Sequence, residues 1–181
     1  MLKETIFIIG GCRSGKSSHG LDLAMNNIES EKIFIATCTP YDDEMRQRIE
    51  KHQAERSKDW ITVEEPVDIA NVISRYNKPG TLILIDCLTL WITNLILEKD
   101  DQDYIQSHVK ELASAVQKAE NKIILVSNEV GCGIVPENSL ARHFRDAAGF
   151  ANQSIAAIAD RVIWMVAGIP VTIKPQNGAI K

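Results

Sequence analysis

Short apolar runs alternate with amphipathic stretches along almost the whole chain. The runs are rich in Ile, Val and Leu, a composition typical of strands that are buried on both faces of a parallel sheet. We predict such strands at residues 5–9, 32–37, 81–86, 122–127 and 161–166, a short extended stretch at 60–64, and a last edge strand at 170–174.

The stretches between these runs place apolar residues three or four positions apart, the spacing that gives a helix one buried face. In the first of them, Leu21, Ala24 and Met25 are predicted to face inward. The segment 88–97 is apolar on nearly every side, so it is predicted to be buried or to pack against another subunit. The predicted helices lie at residues 16 to about 27, 40 to about 57, 66 to about 76, 88–97, 105–116 and 139 to about 159.

Length and charge exclude several classes of protein. With 181 residues, of which 45% are hydrophobic and 24% charged, the chain suits one globular domain over residues 1–181. No apolar run is long enough to cross a bilayer and no signal peptide is recognisable, so a cytoplasmic protein is expected. A net charge of −4 disfavours broad nucleic-acid binding.

The four cysteines are far apart in the sequence and contain no C-x-x-C pair, so neither a zinc site nor a disulfide framework is predicted. Each follows a predicted strand, and the simplest interpretation is a small semi-buried residue in a reducing compartment. They are Cys12, Cys38, Cys87 and Cys132.

A phosphate-binding pattern follows the first predicted strand. The apolar residues Ile6–Ile9 lead into G-x-x-x-x-G-K-S and then into a helical stretch, a context that separates a phosphate-binding loop from a chance Gly/Ser turn. The glycines let backbone N–H groups turn towards the phosphates, Lys16 would reach the β- and γ-phosphates, and Ser17 would ligate Mg²⁺. The loop residues are Gly10, Gly11, Cys12, Arg13, Ser14, Gly15, Lys16 and Ser17.

This loop and the alternation of strands with helices predict an α/β fold of the RecA-like P-loop NTPase kind, with a doubly wound, mostly parallel sheet flanked by helices. Asp86 ends the apolar run at 81–86, where an acid can hold magnesium together with Ser17. The alternative is that Asp86 caps the helix that follows. Both roles place its carboxylate at the carboxyl edge of the sheet.

A second chemically informative stretch lies on the predicted helix at 40–57. Arg48, His52 and Arg56 are spaced by four and form a ridge with one imidazole between two guanidiniums. Neighbouring cations favour the neutral, nucleophilic imidazole and would hold a phosphate beside it. From spacing alone, a half-buried histidine on an amphipathic helix is the more ordinary interpretation.

A basic run lies near the start of the last predicted helix, at Arg142, His143 and Arg145. A turn that contacts phosphate and a solvated helix face explain it equally well. The sequence before it, Asn128–Glu137, is a loop that carries two glycines and begins where a predicted strand ends.

Several segments together resemble one family, and they follow one another over essentially the whole chain. The family is that of the bifunctional adenosylcobinamide kinase/adenosylcobinamide-phosphate guanylyltransferases of cobalamin biosynthesis. The runs N-E-V-G-C-G-I-V-P and L-A-R-H-F-R-D are its most specific features in this chain. The segments are Gly10–Ser17, Ile35–Thr37, Asp42–His52, Trp60–Glu64, Asn128–Glu137 and Leu140–Asp146.

The resemblance implies two reactions that use ATP or GTP with Mg²⁺. In the first, the terminal hydroxyl of the aminopropanol arm of adenosylcobinamide is phosphorylated. In the second, GMP passes from GTP through a guanylylated histidine to adenosylcobinamide phosphate, giving adenosylcobinamide-GDP and pyrophosphate. The family is also described as a homotrimer, which would suit the apolar segment around Trp91.

Carried over by position, the nucleophilic histidine of the family falls on His52. Lys51 precedes it where some relatives carry a second histidine, so His52 alone can serve here. The family often has Glu at the position of Asp86, and the shorter side chain keeps the carboxylate with less reach. Nucleotide contacts fall on Gly10–Ser17, on Ala36, Thr37 and Cys38, on Gln53, Ala54, Glu55 and Arg56, and on Glu64.

Two other functions fit a phosphate-binding loop. One is a kinase alone, without guanylyl transfer. The other is a RecA-like ATPase that acts as a regulatory or nucleic-acid-binding module. The acidic charge balance and the lack of a stripe that mixes aromatic and basic residues weigh against this last function.

Overall fold

The computed structural model describes residues 3–26, 31–39 and 59–174. The predicted helix at 40–57 lies outside the described residues. Within the described ranges, one sheet contains β1 Glu4–Gly10, β2 Glu31–Ala36, β3 Trp60–Glu64, β4 Thr81–Asp86, β5 Lys122–Asn128, β6 Arg161–Val166 and β7 Ile169–Lys174. The helices of the same ranges are α1 Lys16–Met25, α2 Ile69–Arg75, α3 Leu88–Glu98, α4 Gln102–Lys118 and α5 Ser139–Ile158.

The strands lie in the order β3-β2-β4-β5-β1-β6-β7. β1 to β6 run parallel, and β7 returns antiparallel beside β6. The predicted α/β fold with a mostly parallel sheet flanked by helices is therefore confirmed. Because the carboxyl ends of parallel strands meet at one edge, the ends of β2, β4, β5 and β1 are neighbours there, and β5 separates β4 from β1.

The central strands are buried on both faces of the sheet: alternate residues of a strand point to opposite sides, and successive residues of β1, β4 and β5 are buried. Phe7, Ile35 and Leu125 lie on the face that packs with residues of α2, α3, α4 and α5. Trp91 of α3 is 1% exposed and belongs to this core, so most of the all-apolar segment is buried within its own chain, whereas Leu97 at its end is 60% exposed. No helix in the described ranges is long and apolar enough to span a membrane.

Helix α1 covers the opposite face of the sheet. Its buried residues are Lys16, Gly20 and Ala24, which are four apart and share one side of the helix. The prediction that Met25 faces inward is wrong, because Met25 lies about 100° round the helix from Ala24 and is 54% exposed. Gly20 thus occupies the centre of the contact that an apolar side chain was expected to fill.

Helix α2 begins at Ile69 rather than at Pro66, where the sequence pattern placed its start. The Asp68 side chain caps it by accepting a hydrogen bond from a backbone N–H of the first turn. The Pro66 carbonyl instead accepts a hydrogen bond of 3.0 Å from Asn94 of α3. The segment before α2 is therefore held by a neighbouring helix rather than being helical itself.

We expect Gly20→Leu to lower the free energy of unfolding by about 1–3 kcal/mol, because the larger side chain overpacks the space between α1 and the sheet. A Cβ at this position already lies 3.4 Å from Leu84 Cδ1 and from Val126 Cγ2. Urea unfolding measures the change. Ser18→Leu on the exposed side of the same helix is the control, with an expected change below about 0.5 kcal/mol. Equal losses in the two variants would contradict the close packing of α1.

Candidate active site

The phosphate-binding loop joins β1 to α1 in a conformation that requires small residues. Gly15 has a φ of +89°, and Arg13 also has a positive φ, of 53°. A Cβ on Gly10 would lie 2.5 Å from the Met165 carbonyl oxygen in β6, which is closer than a side chain can approach. The loop therefore turns sharply out of the sheet, and α1 begins at Lys16 with its free N–H groups on the loop side.

The turn between β6 and β7 supports the loop. Ala167 and Gly168 both have positive φ values, of 51° and 83°, as the tightest hairpin turns require. The Gly168 N–H donates to the Ser14 carbonyl at 3.1 Å. A hairpin far away in sequence thus holds the middle of the loop in place.

Lys16 is folded back onto the loop and is 7% exposed. Its Nζ donates to the Gly11 carbonyl at 2.6 Å and lies 3.5 Å from Ser14 Oγ. Burial lowers the pKa of the Lys16 ammonium below its ordinary value, and the acidic groups of Cys87 and Asp86 oppose that shift. A desolvated ammonium of this kind gains strongly from contact with anionic oxygens.

The carboxyl ends of β2 and β4 are tied to each other beside the loop. Thr37 Oγ1 accepts a hydrogen bond from the Cys87 N–H and donates one to the Cys87 carbonyl, both at 2.8 Å. Buried Asn94 of α3 donates to the Thr37 carbonyl at 2.7 Å. Asp86 ends β4 next to this network, close enough to Lys16 to affect its pKa. The N-cap residue of α3 is Cys87, directly after Asp86.

Asn128 is a polar residue at the same edge that the sequence analysis treated only as part of a motif. It ends β5 in register with Gly10, and the next N–H, of Glu129, donates to the Gly10 carbonyl at 2.9 Å. Asn128 Nδ2 donates to Thr89 Oγ1 at 3.1 Å. The signal that could have found it is a polar residue directly after a buried run, the same signal that singled out Asp86.

Most of the predicted nucleotide-binding residues that the structure describes gather at this edge. Glu64 ends β3 in register with Ala36, four strand spacings or roughly 19 Å from β1, so it lies well away from the loop. His52 and the predicted contacts Gln53, Ala54, Glu55 and Arg56 lie outside the described residues. The residues brought to the ends of β1, β2 and β4 are Gly10–Ser17, Ala36, Thr37, Cys38 and Asp86.

The two residues predicted to hold magnesium suit that ion. Ser17 lies in the first turn of α1, and α1 packs over β4, which Asp86 ends. Mg²⁺ usually takes one or two protein oxygens and completes its shell with phosphate oxygens and water. A hydroxyl and a carboxylate beside a phosphate-binding loop form such a donor set, and the bound ion would neutralise phosphate charge.

The cysteines differ in their environments more than the sequence predicted. Cys12 and Cys132 are exposed and Cys38 is half-buried, so the prediction of a semi-buried thiol holds for Cys38 but is wrong for the two exposed ones. Burial, with the charge of Asp86 as a second cause, raises the pKa of the Cys87 thiol to about 11. Cys87 therefore stays protonated and unreactive near neutral pH.

The basic run on α5 makes contacts within the protein. Arg142 donates to the Pro136 carbonyl at 3.1 Å, and Arg145 donates to the Gly131 carbonyl. His143 Nδ1 lies 2.5 Å from Asp100 Oδ1, just before α4. Of the two explanations for this run, these contacts fit a structural helix face and give no support to a phosphate contact by His143.

Comparison with known proteins decides the family. A family model described as "Cobinamide kinase / cobinamide phosphate guanyltransferase" matches residues 6–173. The chain belongs to this family. It is 41% identical over 181 residues to the bifunctional adenosylcobalamin biosynthesis protein CobU of Escherichia coli K12, with 93% of this chain and 99% of that protein covered. The family match thus confirms the predicted function, a kinase and guanylyltransferase of cobalamin biosynthesis.

Solved structures support the fold. A KaiC-like protein of Pyrococcus horikoshii OT3 is similar with a TM-score of 0.51 at 17% identity, covering 90% of this chain and 71% of that one. An ATPase of a bacterial type III secretion system is similar with a TM-score of 0.57 at 11% identity, covering 94% of this chain and 57% of that one. At these identities the likeness concerns the fold alone, which is that of P-loop NTPases.

Two neighbouring glycines of the loop differ sharply in the space around them. We expect Gly10→Ala to weaken GTP binding by at least about tenfold, or 1.4 kcal/mol, because its Cβ would displace the β6 backbone. Gly11→Ala is the matched control: its Cβ meets nothing within 4 Å, so its affinity should stay close to that of the unmodified chain. Calorimetric titration with GTP measures both, and similar losses would contradict the close approach of Gly10 to β6.

Cys12 allows the loop to be tested without an activity assay. We expect saturating GTP with Mg²⁺ to slow alkylation of Cys12 by iodoacetamide at least about tenfold, because bound phosphates shield a thiol within the loop. Mass spectrometry of the alkylated peptides measures the rate.

Cys132, which is also exposed but lies after β5, is the internal control and should react at an unchanged rate. Cys87 should stay unmodified until the protein unfolds. An unprotected Cys12 would contradict nucleotide binding at this loop.

Proposed function

We propose that this chain phosphorylates adenosylcobinamide and then transfers GMP to the product, with both reactions served by the nucleotide held at the Gly10–Ser17 loop. The observation that carries the proposal is the family match over residues 6–173 to a chain whose phosphate-binding loop is intact and holds a desolvated Lys16. ATP or GTP supplies the phosphoryl group, and GTP supplies the guanylyl group.

In the kinase step, the hydroxyl oxygen of the aminopropanol arm forms a bond to the γ-phosphorus. The bond from that phosphorus to its bridging oxygen breaks, the nucleoside diphosphate leaves, and the hydroxyl proton passes to water. Lys16 exchanges its bond to the Gly11 carbonyl for oxygens of the β- and γ-phosphates, where negative charge accumulates. Ser17 and Asp86 would hold Mg²⁺ beside the same phosphates.

In the guanylyl transfer, the neutral imidazole of His52 forms a bond to the α-phosphorus of GTP. The bond from the α-phosphorus to the bridging oxygen breaks, and pyrophosphate leaves. An oxygen of adenosylcobinamide phosphate then attacks the same phosphorus, the N–P bond breaks, and the imidazole is restored. Arg48 and Arg56, one turn to either side of His52 on the predicted helix, are placed to stabilise the charge that develops.

The remaining predicted contacts serve the nucleoside. Ala36 ends β2, Thr37 and Cys38 follow it, and all three lie nearer to the loop than Glu64 at the end of β3. Because Glu64 is roughly 19 Å from β1, we assign it to the ribose or base end of the nucleotide rather than to the phosphates. Gln53–Arg56 complete the predicted set.

A homotrimer remains part of the proposal on the ground of family resemblance. The exposed apolar side chains of the β6–β7 hairpin would suit a subunit contact better than the buried Trp91 does. They are Trp164, Val166, Ile169, Val171 and Ile173.

The decisive experiment uses GTP labelled at the α-phosphate. We expect the protein to retain acid-labile label, and His52→Ala to retain less than about 1% of it, because only an N–P bond to that imidazole holds the guanylyl group. His108→Ala, on α4 with its Nδ1 at 2.9 Å from the Tyr104 carbonyl, is the matched control and should be labelled normally.

Phosphorylation of adenosylcobinamide separates the remaining functions. If His52→Ala keeps it while losing the label, His52 acts in guanylyl transfer alone, as proposed. A chain that phosphorylates adenosylcobinamide but never takes up label would be a kinase only. Turnover of nucleotide without either product would leave the ATPase function.

A further inference from the structure

The end of β5 borders the site of phosphoryl transfer. β5 lies between β1, which leads into the phosphate-binding loop, and β4, which ends in Asp86. Asn128 is in register with Gly10, and the Glu129 N–H donates to the Gly10 carbonyl at 2.9 Å. A phosphoryl group held between Lys16 and Asp86 would therefore have Asn128 beside it.

The amide of Asn128 is held in one orientation. Its Nδ2 donates to Thr89 Oγ1 at 3.1 Å, so its Oδ1, on the other branch of the amide, points away from Thr89. Its main-chain carbonyl accepts a hydrogen bond of 3.1 Å from Asn152, which is 7% exposed. Among the described residues no donor to Asn128 Oδ1 is recorded, which leaves this acceptor for a ligand.

The loop from Glu129 to Glu137 is braced by α5 and by itself. Arg145 donates to the Gly131 carbonyl, and Arg142 donates to the Glu137 carbonyl at 2.5 Å. The Glu129 carboxylate accepts a hydrogen bond from the Gly131 N–H. These bonds fix both ends of a loop that is continuous with Asn128.

Between its braced ends, the loop carries two apolar side chains in solvent. Ile134 is 97% exposed and Val135 is 63% exposed. Moving a large aliphatic side chain out of water is favourable. A braced loop that holds Ile134 in solvent is therefore suited to binding an apolar ligand. Its neighbour at the base of the loop, Asn128, supplies a polar acceptor for the same ligand.

We propose that the end of β5 and this braced loop bind the acceptor of the kinase reaction, an alcohol attached to a large, partly apolar body. Asn128 Oδ1 accepts a hydrogen bond from the acceptor hydroxyl and orients its oxygen towards the γ-phosphorus. Ile134 and Val135 contact the apolar part of the acceptor. The inference rests on the proposed function and adds the acceptor side of the same site.

The chemistry of an amide limits what Asn128 does. An amide oxygen accepts a hydrogen bond but does not take the proton, so Asn128 orients the nucleophile and the proton leaves to water as the O–P bond forms. The γ-phosphorus is then approached from the β5 side. The α-phosphorus is attacked by His52, which belongs to a different part of the chain.

Two activities of the same preparation test the role of Asn128. We expect Asn128→Ala to lower kcat for adenosylcobinamide phosphorylation at least about tenfold, while protein labelling by α-labelled GTP stays within about twofold. Asn121→Ala is the matched control, because Asn121 directly precedes β5 at the opposite edge of the sheet, with its Nδ2 bonded to the Tyr76 carbonyl. Asn121→Ala should not lower phosphorylation more than labelling, or labelling more than phosphorylation. Thermal unfolding checks that each variant is folded.

The role of the loop is tested by its effect on KM. We expect Ile134→Ser to raise KM for adenosylcobinamide about five- to tenfold with kcat nearly unchanged, because it weakens ground-state and transition-state binding alike. Met25→Ser, at a 54% exposed position at the end of α1, is the control and should leave KM unchanged.

The outcomes separate this inference from the proposed function. Asn128→Ala with unchanged kinase activity, or with equal loss of kinase activity and labelling, would overturn the role of Asn128. An unchanged KM for Ile134→Ser would overturn the loop as an acceptor site. A fall in the oligomeric mass of Ile134→Ser would also overturn it, because Ile134 would then contact another subunit. Absence of labelling in the unmodified chain would count against guanylyl transfer instead, and the kinase measurements would still test the acceptor site.

Discussion

The close approach of three backbones at Gly10 is the constraint on which the site depends. Gly10 pairs with β5 on one side and with β6 on the other, and no Cβ fits between it and the Met165 carbonyl. Because β1 is central in the sheet, this one position sets where the phosphate-binding loop leaves the sheet and where Asn128 stands relative to it. It also sets where the β6–β7 turn meets Ser14. The loop is anchored through its main-chain carbonyls, since that of Gly10 accepts from the Glu129 N–H and that of Ser14 accepts from the Gly168 N–H.

The fold could be predicted largely from local pattern. Strands buried on both faces appear as continuous apolar runs, and helices with one buried face appear as apolar residues three and four apart, so most described elements were expected within a few residues. The errors have tertiary causes. Met25 is exposed because the close contact of α1 centres on Gly20, which no scale of hydrophobicity marks as a contact residue. Helix α2 begins later than predicted, with Asp68 as its N-cap, and the Pro66 carbonyl is bonded to Asn94 of another helix.

The site could be predicted where it is contiguous in sequence and only in part where it is assembled. The Gly10–Ser17 loop is a local pattern with a physical mechanism, and Asp86 follows from its place after a buried run. The role of Asn94 could not be predicted. Its amide bonds the Thr37 carbonyl after β2 and the Pro66 carbonyl before α2, and a single amide within an apolar helix does not indicate such partners. The position of Asn128 depends on strand order, which places β5 between β4 and β1 although it follows β4 by many residues in the chain.

The bond between the Lys16 ammonium and the Gly11 carbonyl pairs a buried cation with an oxygen of its own loop. A buried cation without an acceptor would lower the stability of the folded state, and the Gly11 carbonyl is such an acceptor. If Lys16 binds phosphate as proposed, a neutral oxygen is exchanged for a charged one, and the gain in free energy is the difference between the two bonds. A neutral ligand, or one with a single charge, would bind the Lys16 ammonium little more strongly than the Gly11 carbonyl does. On this proposal, the charge of a ligand matters to Lys16 before its shape does, and a polyphosphate chain carries the charge required.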